Sequence, residues 1–123
     1  MTREQAEAFA AGWIAAWNAR DVEALLASFA EEVELTSPRA REVVGVATVR
    51  GKTALRAYWT AALSRARSLR FTLDRVLRDA ETGELAIVYT RETNGEAKRV
   101  SESLRFGPDG RVVAVEVFHG ALP

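Results

Sequence analysis

Cysteine is absent from the 123 residues, and histidine occurs once. The first absence excludes disulfide bonds and cysteine nucleophiles, and the two together speak against a zinc site. Basic and acidic residues balance at 17 each, so no net charge favours nucleic acid or an anionic membrane. No segment has the length of a membrane-spanning helix, and the charged start, Met1–Gln5, lacks a signal-peptide core. We therefore expect a cytoplasmic protein with no cofactor and with no nucleic-acid or membrane partner.

The apolar residues, 48% of the total, are enough for one domain over residues 1–123. Their helical spacing predicts three helices, of which the second begins at the N-cap Asp21 and the third follows Gly51. A short strand at Val33–Leu35 and an arginine-rich connection to Arg50 separate the last two. The buried faces of the helices are predicted to be Phe9, Ala10, Trp13, Ile14 and Trp17; Leu25, Leu26 and Phe29; and Leu55, Tyr58, Trp59, Ala62 and Leu63.

The second half of the chain has the alternating pattern of an antiparallel meander. Turns are predicted at Thr82-Gly83, at Asn94-Gly95 and at Pro108-Asp109-Gly110, and Asn-Gly is the strongest short hairpin signal. Three N-terminal helices packed on one face of a curved, mostly antiparallel sheet would give a cone-shaped α+β fold with a cavity. The predicted strands are Leu69–Arg78, Glu84–Thr93, Glu96–Phe106 and Arg111–His119.

The hairpin register places one carboxyl group on the apolar face of this sheet. A two-residue loop at Asn94-Gly95 pairs Ile87 with Glu102, and a four-residue loop at Gly107–Gly110 pairs Glu102 with Val115. Glu102 then lies in the middle of that face. The other residues predicted there are Leu85, Tyr89, Val100, Leu104, Phe106, Val113 and Val117, with His119 at the end.

A carboxylate in such a position is unfavourable if it is ionised without a partner, so Glu102 should be paired, protonated or in contact with a polar cavity. The functional hypothesis is a carboxyl of raised pKa at the floor of a ligand pocket, acting as hydrogen-bond donor or proton shuttle. The structural hypothesis is an ion pair with Arg75 or Arg91, or an acceptor for a tryptophan N–H. Both hypotheses stay open.

His119 is the second catalytic candidate, because an unperturbed imidazole titrates near neutrality. Four residues beyond Val115 is about 13 Å at strand rise, so His119 and Glu102 would bracket a ligand rather than touch. Packing at a strand end is the alternative for His119, and Ser37 is either a turn residue or part of the pocket mouth. Ligand-binding walls or ordinary core are predicted for Trp13, Trp17, Tyr58, Trp59, Ile87, Tyr89, Val115 and Val117.

Four segments carry a resemblance to a known superfamily: Gly12–Leu35, Arg50–Lys52, Ala57–Trp59 and Val115–His119. Over nearly its whole length the chain resembles the SnoaL-like and ketosteroid-isomerase-like branches of the nuclear transport factor 2 superfamily. The resemblance implies the cone-shaped fold and its cavity. It leaves the reaction open, because that superfamily contains enzymes, binding proteins and association modules.

The resemblance also implies positions for catalytic groups. In ketosteroid isomerases an aspartate before a proline is the base, and a tyrosine and a strand aspartic acid stabilise the enolate oxygen. The corresponding positions here are Ser37, Trp13 and Glu102, and only Glu102 keeps its chemistry. Val117 stands where relatives similar to limonene-epoxide hydrolase would have an aspartate. Ketosteroid isomerase activity of the known kind is therefore not expected.

Two functions follow from these observations. The first is a cofactor-independent acid–base enzyme of the isomerase, cyclase or dehydratase type, acting on a small hydrophobic carbonyl compound through Glu102 and His119. The second is a non-catalytic module that binds a hydrophobic ligand or dimerises. The outer sheet face carries Val88, Ala114 and Phe118 among polar residues, so a homodimer is predicted.

Overall fold

A computed structural model describes residues 1–123. The strands form one sheet in the order β2-β1-β6-β5-β4-β3, in which only β1 and β6 run parallel. The predicted α+β class, with helices on a mostly antiparallel sheet, is confirmed. The helices are α1 Arg3–Asn18, α2 Val22–Leu26, α3 Pro38–Val44 and α4 Lys52–Ser64; the strands are β1 Phe29–Thr36, β2 Thr48–Arg50, β3 Leu69–Arg78, β4 Leu85–Thr93, β5 Glu96–Phe106 and β6 Val112–Gly120.

The junction between α1 and α2 fixes the first helix to the edge of the sheet. The Asn18 side chain donates to the carbonyl of Phe71 at 2.9 Å and accepts from its N–H at 2.7 Å. Both backbone groups of this residue on the edge strand β3 are thereby hydrogen-bonded. Arg20 then takes a left-handed conformation, φ 56°, and Asp21 caps α2 by accepting from the N–H of Ala24 at 3.0 Å. The predicted N-cap at Asp21 is confirmed.

The segment between α2 and α4 contains more regular structure than predicted. Phe29 does not belong to the buried face of α2, because that helix ends at Leu26 and Phe29 begins β1. The arginine-rich connection contains the helix α3 and the strand β2, so four helices rather than three pack on the sheet. The Ser37 hydroxyl accepts from the N–H of Arg39 at the start of α3, and Gly45, φ 82°, ends it.

The β4–β5 register is confirmed, and the β5–β6 register is wrong by two residues. Ile87 pairs with Glu102 as predicted, but Glu102 pairs with Val117 instead of Val115. Two differences of one residue add up to this shift. The turn contains five residues rather than four, so Phe106 pairs with Val112, and a bulge at the start of β6 adds one more residue before Arg105 pairs with Ala114. Val112, 0% exposed, therefore takes the core position that was predicted for Val113.

One cluster of 25 buried side chains fills the space between the helices and the sheet. Bulges in β1, β3 and β6 bend their strands, and such bends curve a sheet around the elements packed on it. No helix in the structure is both long and apolar enough to cross a membrane.

Candidate functional site

A cavity of about 400 Å³ lies between the helices α3 and α4 and the facing surface of the sheet. This volume is within the usual range of small-molecule sites, about 300–1,000 Å³. Eleven of its twenty lining residues are hydrophobic, and the other nine are polar or charged, so the cavity is more polar than the sequence predicted. The charged and polar part is formed by Ser37, Arg39, Glu42, Arg91, Thr93, Asn94, Glu96, Lys98 and Glu102.

Glu102 is 4% exposed and lines this cavity. The Tyr89 hydroxyl donates to Oε2 of its carboxyl group at 2.9 Å, and the indole N–H of Trp13 donates to the same oxygen at 3.2 Å. The other oxygen, Oε1, makes no hydrogen bond within the protein and keeps access to the cavity. Both internal donors thus hold one oxygen and leave the second for a ligand.

The structure shows which of the predicted partners, a tryptophan N–H, Arg75 or Arg91, contacts Glu102. The predicted acceptor role toward a tryptophan N–H is confirmed. The ion pair with Arg75 is wrong, because Arg75 pairs with Asp74. Arg91 lines the same cavity and acts on Glu102 through its charge alone, without a salt bridge.

Burial raises the pKa of Glu102 above its ordinary value, and the hydrogen bonds from Tyr89 and Trp13 oppose only part of this rise. The protonated carboxyl is therefore favoured relative to that of an exposed glutamate. In the protonated form, Oε2 as the carbonyl oxygen accepts both internal hydrogen bonds. The proton then sits on Oε1, from which it can be donated into the cavity.

Two tyrosines supply further hydroxyl groups at this end of the cavity. Burial raises the pKa of Tyr58 on α4 to about 12, so this hydroxyl stays protonated at neutral pH. Burial also raises the pKa of Tyr89 well above its ordinary value. The charge of Glu102 contributes to both shifts, and all three residues line the cavity. Because Tyr89 already donates its proton to Glu102, the hydroxyl of Tyr58 is the tyrosine donor left for a ligand oxygen.

Stacked aromatic rings form the apolar wall. The ring of Trp17 stacks on Phe71 at 5.1 Å between centroids, Phe71 stacks on Tyr89 at 5.0 Å, and Trp59 meets Trp17 edge to face at 5.3 Å. Flat apolar ligands pack well against such surfaces. Six of the ten predicted site residues line the cavity: Trp17, Tyr58, Trp59, Tyr89, Glu102 and Val117.

The other four predicted site residues do not line the cavity. Trp13, Ile87 and Val115 are buried in the core, where Trp13 serves as a donor behind Glu102. His119 is half-buried and pairs with Val100, two residues beyond the partner of Glu102. The offset along the strand is therefore about 7 Å rather than the predicted 13 Å.

The pKa of His119 is lowered by burial first and then by the charges of Arg91 and Lys98. We expect its imidazole to titrate below the ordinary value of 6.5 and to be neutral at pH 7. Because it is the sole histidine, one set of imidazole resonances followed by NMR from pH 4 to 9 reports it directly. Arg91→Met removes one of the charges that lower the pKa of His119 and should raise the midpoint of its titration. A wild-type midpoint at or above 6.5 contradicts the expectation.

Sequence reasoning missed the cationic residues of the cavity. Arg91 lies two residues after Tyr89 and Lys98 two residues before Val100, so the alternation that placed Glu102 on this face also places them there. That signal was available in the hairpin register. Arg39 and Glu42 had no such signal, because the helix α3 that carries them was not predicted.

Comparisons with known proteins agree with this architecture. Residues 10–119 match the SnoaL-like domain family. A SnoaL-like protein of unknown function from Burkholderia thailandensis is 33% identical over 98% of both chains, with a TM-score of 0.87. Among curated proteins, none matches this chain.

Two more distant structures share the fold. A putative polyketide cyclase from Sinorhizobium meliloti is 18% identical, over 96% of this chain and 100% of that one, with a TM-score of 0.75. The epoxide hydrolase/cyclase-like enzyme SalBIII, described in pyran ring formation in the polyether salinomycin, is 17% identical over 95% and 92%, with a TM-score of 0.74. At these identities the likeness concerns the fold alone.

Proposed function

The chain belongs to the SnoaL-like family, and on this premise we propose that its cavity binds a small carbonyl compound and activates it through Glu102. The observation that carries the proposal is the asymmetry of the carboxyl group. Oε2 is held by Tyr89 and Trp13, whereas Oε1 is free toward the cavity. A protonated Oε1 donates a hydrogen bond to the carbonyl oxygen of the ligand.

This geometry supports acid catalysis without a cofactor. Hydrogen bonding or proton transfer from Oε1 stabilises the negative charge that develops on a carbonyl oxygen during enolisation or ring closure. In enolisation the C–H proton next to the carbonyl passes to solvent water while Oε1 donates to the carbonyl oxygen. The charge left on Glu102 is then stabilised by the donors Tyr89 and Trp13, whose hydrogen bonds strengthen toward a carboxylate. Isomerisation, cyclisation and dehydration of a carbonyl compound all use this step.

The test separates binding from proton transfer with 2-naphthol and 2-tetralone as probes. Glu102→Gln keeps an acceptor for Tyr89 and Trp13 and offers an amide to the ligand, so it should bind 2-naphthol nearly as well as wild type. It should exchange the C–H protons next to the 2-tetralone carbonyl for deuterium about 100-fold more slowly. Binding is measured by quenching of tryptophan fluorescence and exchange by NMR in D2O.

Glu102→Leu should lose both binding and exchange, and Glu116→Gln, at an exposed position on β6, is the matched control. Exchange at the wild-type rate in Glu102→Gln contradicts a proton-transfer role for Glu102. Equal binding of 2-naphthol by wild type and Glu102→Leu contradicts the ligand contact itself.

Non-catalytic binding is the second candidate, and one observation favours it. Tyr58 and Tyr89 keep their protons, and His119 does not line the cavity. The two carboxylates that line it besides Glu102 are not placed as free internal bases, because Glu42 is paired with Arg39 and Glu96 is exposed at the hairpin tip. Saturable binding of 2-naphthol without exchange of 2-tetralone in wild type identifies this function.

The predicted homodimer and cytoplasmic location stay predictions. On the outer face of β6, Phe118 is 50% exposed, which supports association through that face.

A further inference from the structure

Two cations face each other at the far end of the cavity from Glu102. Arg91 on β4 and Lys98 on β5 are directly opposite in the hairpin, both are half-buried, and both line the cavity. Like charges in this arrangement destabilise a strand pair. The pair is therefore a feature that folding alone does not favour.

Neither cation has a partner within the protein. Seven salt bridges elsewhere each join an arginine to a carboxylate, and Arg91 and Lys98 take part in none of them, nor in a side-chain hydrogen bond. Of the carboxylates nearby, Glu42 is held by Arg39 at 2.9 Å, and Glu96 is exposed at the hairpin tip. Two positive charges are thus available to an anion inside the cavity.

The distance between the two ends of the cavity sets the size of a ligand that reaches both. Lys98 and Glu102 are four residues apart on β5, about 13 Å at strand rise, and their side chains shorten the gap. The wall between them includes the aromatic rings of Trp17, Phe71 and Tyr89. A flat body of two or three fused rings fits this span.

We propose that the ligand of this cavity is an aromatic or polycyclic carboxylate, whose carboxylate group binds between Arg91 and Lys98 while its carbonyl or phenolic oxygen meets Glu102. The Glu102 end of this assignment rests on the proposed function, and the carboxylate end rests on the cation pair. A guanidinium can hold a carboxylate through two parallel hydrogen bonds, and the lysine ammonium adds a third donor. The bound anion also removes the repulsion between the two cations.

Three probes of one shape test the assignment: 6-hydroxy-2-naphthoate, its neutral carboxamide and 2-naphthol. Dissociation constants are measured by tryptophan fluorescence for wild type, Arg91→Met, Lys98→Met and the control Arg105→Met, which changes an exposed arginine on β5 that forms no salt bridge. Thermal unfolding confirms that each variant is folded.

Wild type and Arg105→Met should bind the carboxylate about 10- to 100-fold more tightly than the carboxamide. Arg91→Met and Lys98→Met should each lose most of this preference and keep their affinity for the carboxamide and for 2-naphthol. Sodium chloride at high concentration should weaken the carboxylate complex alone.

Equal affinity of wild type for the carboxylate and the carboxamide overturns the proposal. An Arg91→Met variant whose affinity for both probes falls by the same factor overturns it as well. If in either of these cases 2-naphthol still binds to wild type and its binding is lost in Glu102→Leu, only the carboxylate assignment is wrong. If wild type prefers the carboxylate but Glu102→Leu binds 2-naphthol with the affinity of wild type, the carboxylate site at Arg91 and Lys98 is supported and the ligand contact of Glu102 is wrong. Absence of binding by all three probes overturns both proposals.

Discussion

Glu102→Gln is expected to unfold at a higher denaturant concentration than wild type at pH 8, and at a similar concentration at pH 4. The reason is the raised pKa of the buried carboxyl, whose protonated form the glutamine side chain imitates. The amide oxygen can accept from Tyr89 and Trp13, and the amide NH2 can face the cavity as Oε1 does. The substitution thus removes the ionisation and keeps the hydrogen bonds.

The sign of the pH dependence follows from proton counting. Above the ordinary value of 4.5, the unfolded chain has released the Glu102 proton, whereas the folded chain retains it up to its raised pKa. The folded state binds more protons in this interval, so the free energy of unfolding of wild type falls as pH rises. The slope from one group is at most about 1.4 kcal/mol per pH unit. Glu102→Gln lacks this contribution.

Urea unfolding from pH 4 to 9 measures the difference between the two proteins. His119, whose lowered pKa gives stability that is lost as pH falls below 6.5, is present in both proteins and cancels in the difference. Glu116→Gln changes an exposed carboxyl on β6 and should show no such trend. If Glu102→Gln becomes less stable than wild type as pH rises, the carboxylate is ionised and held by its donors, and the proposed proton donor is wrong.

The position of Glu102 could be predicted because its causes are local. An Asn-Gly turn at residues 94–95 requires a two-residue loop, and a two-residue loop sets every pair in the β4–β5 hairpin. Alternation along the strands then puts Glu102 opposite Ile87 on the buried face. The same alternation, continued four residues further along each strand, places Arg91 and Lys98 at the cavity.

The β5–β6 register could not be predicted in the same way. The turn after Phe106 has no signal as strict as Asn-Gly, and several loop lengths suit Gly107–Arg111. The longer turn contributes one residue of the shift and the bulge the other, and the bulge depends on packing of Val112 in the core, which involves distant elements. His119 was therefore placed about 7 Å too far from Glu102.

The partner of Glu102 in α1 was also beyond local reasoning. Trp13 and Glu102 are separated by 89 residues, and only the packing of α1 across the sheet brings the indole N–H to the carboxyl. The sequence supported a tryptophan donor as one option among several. Choosing between it and an arginine partner required the side-chain positions, because Arg91 lies on the adjacent strand β4 and Arg75 one strand further, on β3.

Trp13→Ala is expected to destabilise the protein by about 3–5 kcal/mol, the usual range for removal of a buried tryptophan. Trp13 is 4% exposed, and its ring stacks on Phe29 at 5.5 Å and meets Trp59 edge to face at 5.6 Å. The large loss comes mainly from the space left among these rings. It does not by itself measure the hydrogen bond to Glu102.

Trp13→Phe isolates that hydrogen bond, because Trp17→Phe provides a matched control. Both substitutions replace a buried tryptophan with phenylalanine on α1, but the N–H of Trp17 has no hydrogen-bond partner, whereas that of Trp13 donates to Glu102. Loss of this donor leaves the Glu102 carboxylate with Tyr89 alone and raises its pKa further. A hydrogen bond to a charged group contributes about 1.5–3 kcal/mol, more than one to a neutral group.

The cost of Trp13→Phe should therefore increase with pH as Glu102 ionises, while the cost of Trp17→Phe stays constant. Urea unfolding of the three proteins at pH 5, 7 and 9 measures both trends. Equal and constant costs would mean that Trp13 fills space without stabilising the carboxylate, and the charge formed on Glu102 during proton transfer would then depend on Tyr89. A cost that grows only for Trp13→Phe places the indole N–H among the groups that stabilise this charge.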